Sequence, residues 1–445
     1  MLLRGKPGLS TTPLEFLDTR GASRACKPIS DIQAFQDKAN FIPTIPFDSE
    51  NPNMNKRYLP SLLILAIIST CIEIDMSVPS FPDMARDFGV PEGLIQRTIT
   101  YNFLGFCVGA LVYGPLSECF GRRKLMLIGN SIMLIGAVGC VYARTIDWLL
   151  LSRFIQGIGA STSVVLVFAI IADCYQGNEA FKLLGLTNAM MSTFMALAPS
   201  AGGYVNMAFG WRGNYAVVAG ITALALVMMF FFLPETKTTL EKLDAGKIVR
   251  DYARLARNGS FISAALVPSL LFAAYMVFIA SSGFIYLQTF ALPIKFFVPH
   301  LSIIVISFAV PSMFAGKLIP YLGGPDNTVK VGMGVAAGSI ALLLLVAENA
   351  YALTALISLY CVGFALCYPV IFGRSMEIFP ELRGTASSVI MSVRSLLVSL
   401  LTAAASYFFN GKVVTVAAVM LVSVVAATFL ALRPARVANS ANTAN

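Results

Sequence analysis

Between Tyr58 and Leu432 the chain repeats one pattern, an apolar run of about twenty residues followed by a short break rich in charge, Gly or Pro. Runs fall near 58–79, 94–114, 125–143, 147–171, 183–205 and 213–233, and again near 261–283, 297–319, 329–347, 350–373, 384–408 and 413–432. About 20 helical residues cross a bilayer core, so each run predicts one spanning helix. The expected fold is an all-α polytopic membrane protein with about twelve transmembrane helices in two six-helix bundles, 58–233 and 261–432. A polar stretch at 234–260 joins them. The stretch 284–300 is the hardest to divide, and His300 is expected in a loop there.

Composition removes other classes. Of the 445 residues 57% are hydrophobic and 12% charged, against about 25% charged in soluble domains. No CxxC pair, nucleotide-binding loop or nucleophile and base pairing stands out, so no enzyme, cofactor or metal site is expected. Seven of the eight Cys lie in or beside apolar runs and read as small buried hydrophobes.

The net charge of +9 would point to nucleic acid in a soluble domain, but here it is sorted by side. With the N-terminus inside, 24 Lys and Arg fall on the inner side and six on the outer. Without the N-terminal tail the ratio is still 16 to 6, which places both termini in the cytoplasm. Trp148 and Trp211 fall at outer ends of spans, where interfacial Trp is expected.

Residues 1–57 read as a polar cytoplasmic tail, and Met54 is an alternative start directly before Lys56 and Arg57. Residues 433–445 form a second short tail. In the joining stretch Leu240, Leu243, Ile248, Tyr252 and Leu255 recur near helical period among basic residues. That predicts a basic amphipathic helix, either against anionic lipid or as a solvated linker.

The strongest local signal is Tyr113 to Lys124, YGPLSECFGRRK, where Gly114 and Gly121 allow a tight turn and Glu118 lies among Arg122, Arg123 and Lys124. It resembles the signature loop of the major facilitator superfamily, with Glu118 in place of the usual Asp. The Arg and Lys cluster also serves simply as positive-inside charge. Arg153-Phe-Ile-Gln-Gly is similar to that superfamily's Arg-x-x-Gln-Gly. Ala198-Pro199-Ser-Ala-Gly202-Gly203 looks like its antiporter motif, which is associated with exporters and also reads as a plain packing element. Ile74-Asp75-Met-Ser-Val-Pro-Ser-Phe-Pro82 resembles the bicyclomycin-resistance branch of drug:proton antiporters. Gly114 to Gly121 also aligns weakly with Gly316 to Gly323 at an offset of about 202, as two repeated bundles would.

Physics gives some of these residues work without the family. At about 1.5 Å per residue, Glu73 and Asp75 lie past the middle of the first span. A carboxylate there must face a cavity, pair, or hold a proton, unless the span ends early and both sit at its watery mouth. Two positions apart on a helix, the two are expected on different faces, and Asp75, matching the motif, is expected to carry the proton. By the resemblance Arg153 would face the first-half cavity and bias that protonation, with Gln156 sharing its polar network.

Arg394, in the middle of the eleventh span, would bind an anionic or zwitterionic substrate or pair with carbonyls. Tyr101 is expected in the substrate site. Phe103, Met191, Met195, Phe284, Tyr286 and Tyr368 are further candidates for an adaptable pocket, or else face lipid and neighbouring helices.

The resemblance implies a monomeric transporter in a bacterial inner membrane that exports drugs or other small amphiphiles against a proton flow. Proton-coupled uptake of an anionic or zwitterionic metabolite stays open, as does a non-transporting membrane sensor.

Overall fold

The computed structural model describes residues 52–432 apart from 176, 238–239, 241–242, 347–348 and 380–381. The tails 1–51 and 433–445 and Lys242 lie outside the described residues. Helix α1 (Pro52–Asp75) stops at its carboxylate; a 3₁₀ turn (Val78–Ser80) and α2 (Phe81–Phe88) then continue in the same direction. Pro79 and Pro82 explain the break, since neither can supply the amide a continuous helix needs. The hydroxyls of Ser77 and Ser80 bond back to the carbonyls of Ile74 and Ser77 at 2.8 and 2.6 Å.

There follow α3 (Glu92–Phe120), α4 (Arg122–Val141), α5 (Ile146–Cys174), α6 (Gly177–Phe209) and α7 (Trp211–Phe232). The joining helix is α8 (Ala245–Arg257). The second set comprises α9 (Gly259–Phe284), α10 (Ile294–Tyr321), α11 (Pro325–Val346), α12 (Ala350–Glu377), α13 (Arg383–Phe408) and α14 (Val413–Leu432). Side-chain caps start α5, α9 and α12, where Thr145, Asn258 and Asn349 accept from amides three residues on.

Eleven described helices are long and apolar enough to cross a membrane, taking α1 with α2 and α9 with the π turn after it as single spans. The remaining expected span, α6, is a helix of 33 residues whose apolar pattern is interrupted by Thr187, Asn188, Ser192, Thr193 and Ser200.

Helices α1 and α3–α7 pack on one another, as do α9–α14, and the two sets meet along two seams, α3 with α13 and α6 with α10. The seams are polar and closely fitted. Thr100 and Thr402 hydroxyls lie 2.9 Å apart, Ser392 donates to the Cys107 carbonyl at 3.2 Å, and Ser200 and Ser302 hydroxyls lie 2.9 Å apart. Without water to drive association, close backbone approach and interhelical hydrogen bonds must hold such contacts.

Gly202 shows how tight the fit is, because a Cβ there would overlap the backbone carbonyl of Met76 at the end of α1. We expect Gly202→Val to force α6 away from α1 at about 1–3 kcal/mol. The readout is thermal unfolding in detergent, where a drop of about 3 °C or more is expected. A midpoint unchanged from the parent would show that α6 yields freely.

Three placements differ from the sequence expectations. His300 lies not in a loop but within α10, buried, with its Nδ1 2.7 Å from the Thr354 hydroxyl. The helix starts at Ile294 with Pro293 as its N-cap and runs on through Pro299, which lies inside it as Pro311 and Pro320 do. Trp211 is 5% exposed, so it is no interfacial anchor. Its Nε1 donates to Asp87 at 3.0 Å and its ring packs on Phe88 and Tyr215.

The third is α8, which turns apolar residues of its face onto protein: Leu255 joins Phe261 and Phe379 in a buried cluster. Tyr252 donates to the Leu111 carbonyl at 2.7 Å. Burial pushes the Tyr252 phenol up to about 12, so it remains a donor at neutral pH.

Candidate functional site

A cavity of about 1120 Å³ lies between the two helix sets. Its mouth is formed by Glu118 and Arg122 at the α3–α4 turn, Lys247 and Asp251 of α8, and Gly384 at the start of α13. Glu73, Asp75, Phe103, Phe272, Met276 and Arg394 lie deeper. At the opposite end the halves close on each other. Phe284 packs on Phe81 and Phe409 with ring centroids 6.3 and 5.9 Å apart, and Gln96 donates to Ser281 at 3.4 Å.

Both acids of α1 are buried, Glu73 at 1% and Asp75 at 2% exposed, so neither is a surface charge at the mouth of the span. Both also line the cavity, contrary to the expectation that they face different surroundings. The cavity lies across the end of α1 rather than along one face: Thr70, Cys71, Glu73, Ile74 and Asp75 all border it.

Their partners differ. Glu73 accepts from Asn102 Nδ2 at 3.4 Å and lies 3.8 Å from Arg153 Nη1, an ion pair without a hydrogen bond. Asp75 makes no hydrogen bond or ion pair among the described residues, and its Oδ1 is buried without a partner.

Arg153 is completely buried and does not border the cavity; it stands behind Glu73 rather than in the open space. Its Nη1 donates to Gln156 Oε1 at 2.7 Å, and its guanidinium lies 5.6 Å from the Tyr215 ring centre. Gln156 is likewise fully buried, so the expectation of substrate contact there is corrected to a position one layer back. The reason is close packing, since Gly157 lets α5 approach so near α3 that a Cβ would meet the Asn102 backbone.

Tyr101 is also displaced from the site. It is 38% exposed and shares the outer stripe of α3 with Leu104, Val108 and Leu111, at helical spacing. The inner stripe of the same helix carries Asn102, Phe103 and Phe106. Of the other aromatic and methionine candidates, Phe103, Met191, Met195 and Tyr368 border the cavity. Phe284 and Tyr286 are buried away from it.

Arg394 borders the cavity from α13. Its guanidinium lies 4.7 Å from the Phe272 ring centre, its Nη1 donates weakly to the Tyr368 hydroxyl at 3.4 Å, and its Nε is buried without a partner.

At the mouth, Gly121 has φ +91, a conformation that favours glycine, and a Cβ on it would press on the Glu235 carboxylate. That carboxylate accepts from the backbone amides of Arg122 and Arg123 at 2.8 and 3.2 Å. Glu118 pairs with Arg122 at 2.6 Å and with Lys237, and Arg122 also reaches Asp173 at 3.0 Å. Arg123 donates to the Phe230 carbonyl at 2.6 Å. These partners all belong to the first half and its exit strand. The loop meets the second half through Gly114, against the Ser388 hydroxyl.

Sequence reading missed Asn102, Asp173, Glu235 and Lys237. A polar residue amid an apolar run was the available signal for Asn102. The other three lie at span ends, where charges are ordinary. A repeat of the loop is visible in the second half: Asp326 at the start of α11 pairs with Arg374 at the end of α12 at 2.7 Å. These positions correspond to Arg122 and Asp173 at close to the 202-residue offset, with the charges exchanged.

Pro199, Gly202 and Gly203 sit where α6 crosses α1 and α10. Gly202 touches the Met76 backbone and Gly203 the Val298 side chain.

The Major Facilitator Superfamily model matches residues 63–403. Among curated proteins, the chain is 26% identical over 361 residues to the bicyclomycin resistance protein homolog of Haemophilus influenzae, covering 77% of this chain and 87% of that one. It is 25% identical over 350 residues to multidrug resistance protein D of Escherichia coli, covering 75% and 85%. Among solved structures it superposes on a D-xylose-proton symporter with TM-score 0.67 at 17% identity, covering 83% and 96%. The E. coli xylose transporter XylE, in a partially occluded inward-open conformation, gives 0.66 at 15%, covering 85% and 98%. With two helix sets around one central cavity and a family match over three quarters of its length, this chain is a transporter of the Major Facilitator Superfamily and not an enzyme.

Proposed function

We propose that this transporter exports drugs or other small amphiphiles in exchange for protons, from the inner membrane of a bacterium with both termini in the cytoplasm. The observation that carries the reading is the pair of buried acids, Glu73 and Asp75, bordering a cavity closed at its far end. With the α3–α4 turn cytoplasmic, the cavity faces inward. Asp75, without an internal partner, is the proton carrier. Glu73, held by Arg153 and Asn102, is the second acidic site. The names of the relatives, which include multidrug and bicyclomycin resistance proteins, favour efflux.

The cycle follows from differential affinity. A proton arriving from outside neutralises Asp75, substrate leaves outward, and deprotonation toward the cytoplasm restores the acid. A ligand shifts such an equilibrium only by its difference in affinity between the two states. Arg394, a cavity cation without an acidic partner among the described residues, favours a second reading: proton-coupled uptake of an anionic or zwitterionic metabolite.

The test is purified protein in liposomes with an imposed proton gradient and a pH dye inside, challenged with cationic, neutral, zwitterionic and anionic amphiphiles. Export predicts substrate-dependent proton movement opposite to the substrate. Movement of both in the same direction would overturn it in favour of uptake.

A further inference from the structure

Away from the mouth, the charges that border the cavity are Glu73, Asp75 and Arg394, and two of them lack a counter-ion among the described residues. Glu73 is matched by Arg153, and at the mouth Glu118 is matched by Arg122 and Lys237. Asp75 on α1 and Arg394 on α13 have no ionic partner among the described residues, each has a buried polar atom without a hydrogen bond, and both border the same space. One comes from each half. Asp75 is buried and Arg394 half-buried. A charge held there without a counter-ion is costly, and a partner arriving from outside the chain would compensate both.

The wall around Arg394 is aromatic. Phe272 lies against the guanidinium at 4.7 Å, Tyr368 stacks on Phe372 at 5.6 Å with planes 13° apart, and Phe364 meets Tyr368 edge-on at 5.7 Å. Aromatic rings that already pair offset or edge-on offer the same geometry to a flat ligand. The cavity, at about 1120 Å³, is ample for a drug-sized molecule.

We propose that the cavity takes an aromatic zwitterion, with its carboxylate on the Arg394 guanidinium and its amine at Asp75. This rests on the transporter reading above and names the class of substrate. A plain cation would compensate Asp75 but leave Arg394 bare and repelling it. A plain anion would compensate Arg394 and face the Asp75 carboxylate. A molecule bearing both groups satisfies both walls and adds no net charge to the space.

The test compares three probes on one aromatic frame: a fluoroquinolone with a piperazine amine and a carboxylate, its methyl ester, and its N-acetyl derivative. Binding to the purified full chain in detergent is measured by calorimetry at neutral pH. The zwitterion is expected to bind about tenfold or more tightly than either derivative, the scale of a charge-assisted hydrogen bond.

Arg394→Gln should weaken the zwitterion and the N-acetyl form by about tenfold, while the ester, freed of the cation that repels it, binds at least as tightly as to the parent, and that retained ester binding shows the variant folded. Arg394→Lys, which keeps the charge without the fork, should recover part of the loss. Equal affinity for the three probes, or an Arg394→Gln effect equal on all three, overturns the proposal.

Transport separates this from the function it rests on. If the zwitterion is preferred but drives no proton flux in vesicles, the exporter reading fails and the binding assignment stands. If all three drive flux equally in the parent and in Arg394→Gln, the exporter reading stands and this assignment falls.

Discussion

Asp75→Asn is expected to reduce substrate-driven proton flux in liposomes to the background of empty vesicles while leaving the protein folded. The substitution keeps the shape of a side chain that makes no hydrogen bond or ion pair among the described residues, so no partner is stranded by it. Replacing a lone buried carboxylate with a neutral amide removes a desolvation cost, and the thermal midpoint in detergent should hold or rise. Chemistry is lost because an amide does not exchange a proton in the range a cell uses. Full gradient-dependent flux in the variant would show that Asp75 is not the carrier and would move the assignment to Glu73, which borders the same cavity. Loss of flux together with loss of the folded state would point instead to a packing role.

Arg153→Met should be strongly destabilising, at about 3–5 kcal/mol. Methionine fills much of the arginine's volume but leaves Glu73, 1% exposed, as a buried acid whose cation has gone. It also takes from Gln156 Oε1 the guanidinium donor at 2.7 Å and leaves it only the weak Cys140 thiol at 3.8 Å. The double variant Arg153→Met, Glu73→Gln removes both charges and should recover most of the loss, because a neutral pair in this space has no ion to desolvate. Thermal unfolding of the four proteins reads the coupling directly. Additive losses, with the double variant less stable than either single one, would mean that the two side chains act through separate contacts.

Much of the helix layout was visible in the chain. Apolar runs reproduce the positions of the spanning helices because a bilayer admits only segments that satisfy their own backbone, and length then follows from membrane thickness. The exceptions have local causes. Proline at positions 79 and 82 divides the first span, and polar side chains interrupt the apolar pattern of α6, which packs on α1 and α10.

The candidate site was legible as residue types and not as contacts. Expensive residues in apolar runs, namely Glu73, Asp75, Arg153 and Arg394, could be picked out one by one, since each needs a partner or a cavity wherever it falls. Which of them has a partner could not. Tyr101 and Phe103 are two positions apart, yet one is on the outer stripe of α3 and the other borders the cavity. Only the rotation of the helix against its neighbours separates them.

By itself, then, the sequence determined that this is a membrane protein of many helices in two related halves, because hydropathy and repeat are local properties that survive any arrangement of the helices. Only the tertiary structure decided that Arg153 serves Glu73, that Asp75 and Arg394 border one cavity with no ionic partner among the described residues, and that the cavity opens beside Glu118 and closes at Phe284. Ion pairs act over a few ångströms between residues far apart in the chain. Their assignment waits on the seams between helices, where glycine and serine set the distances.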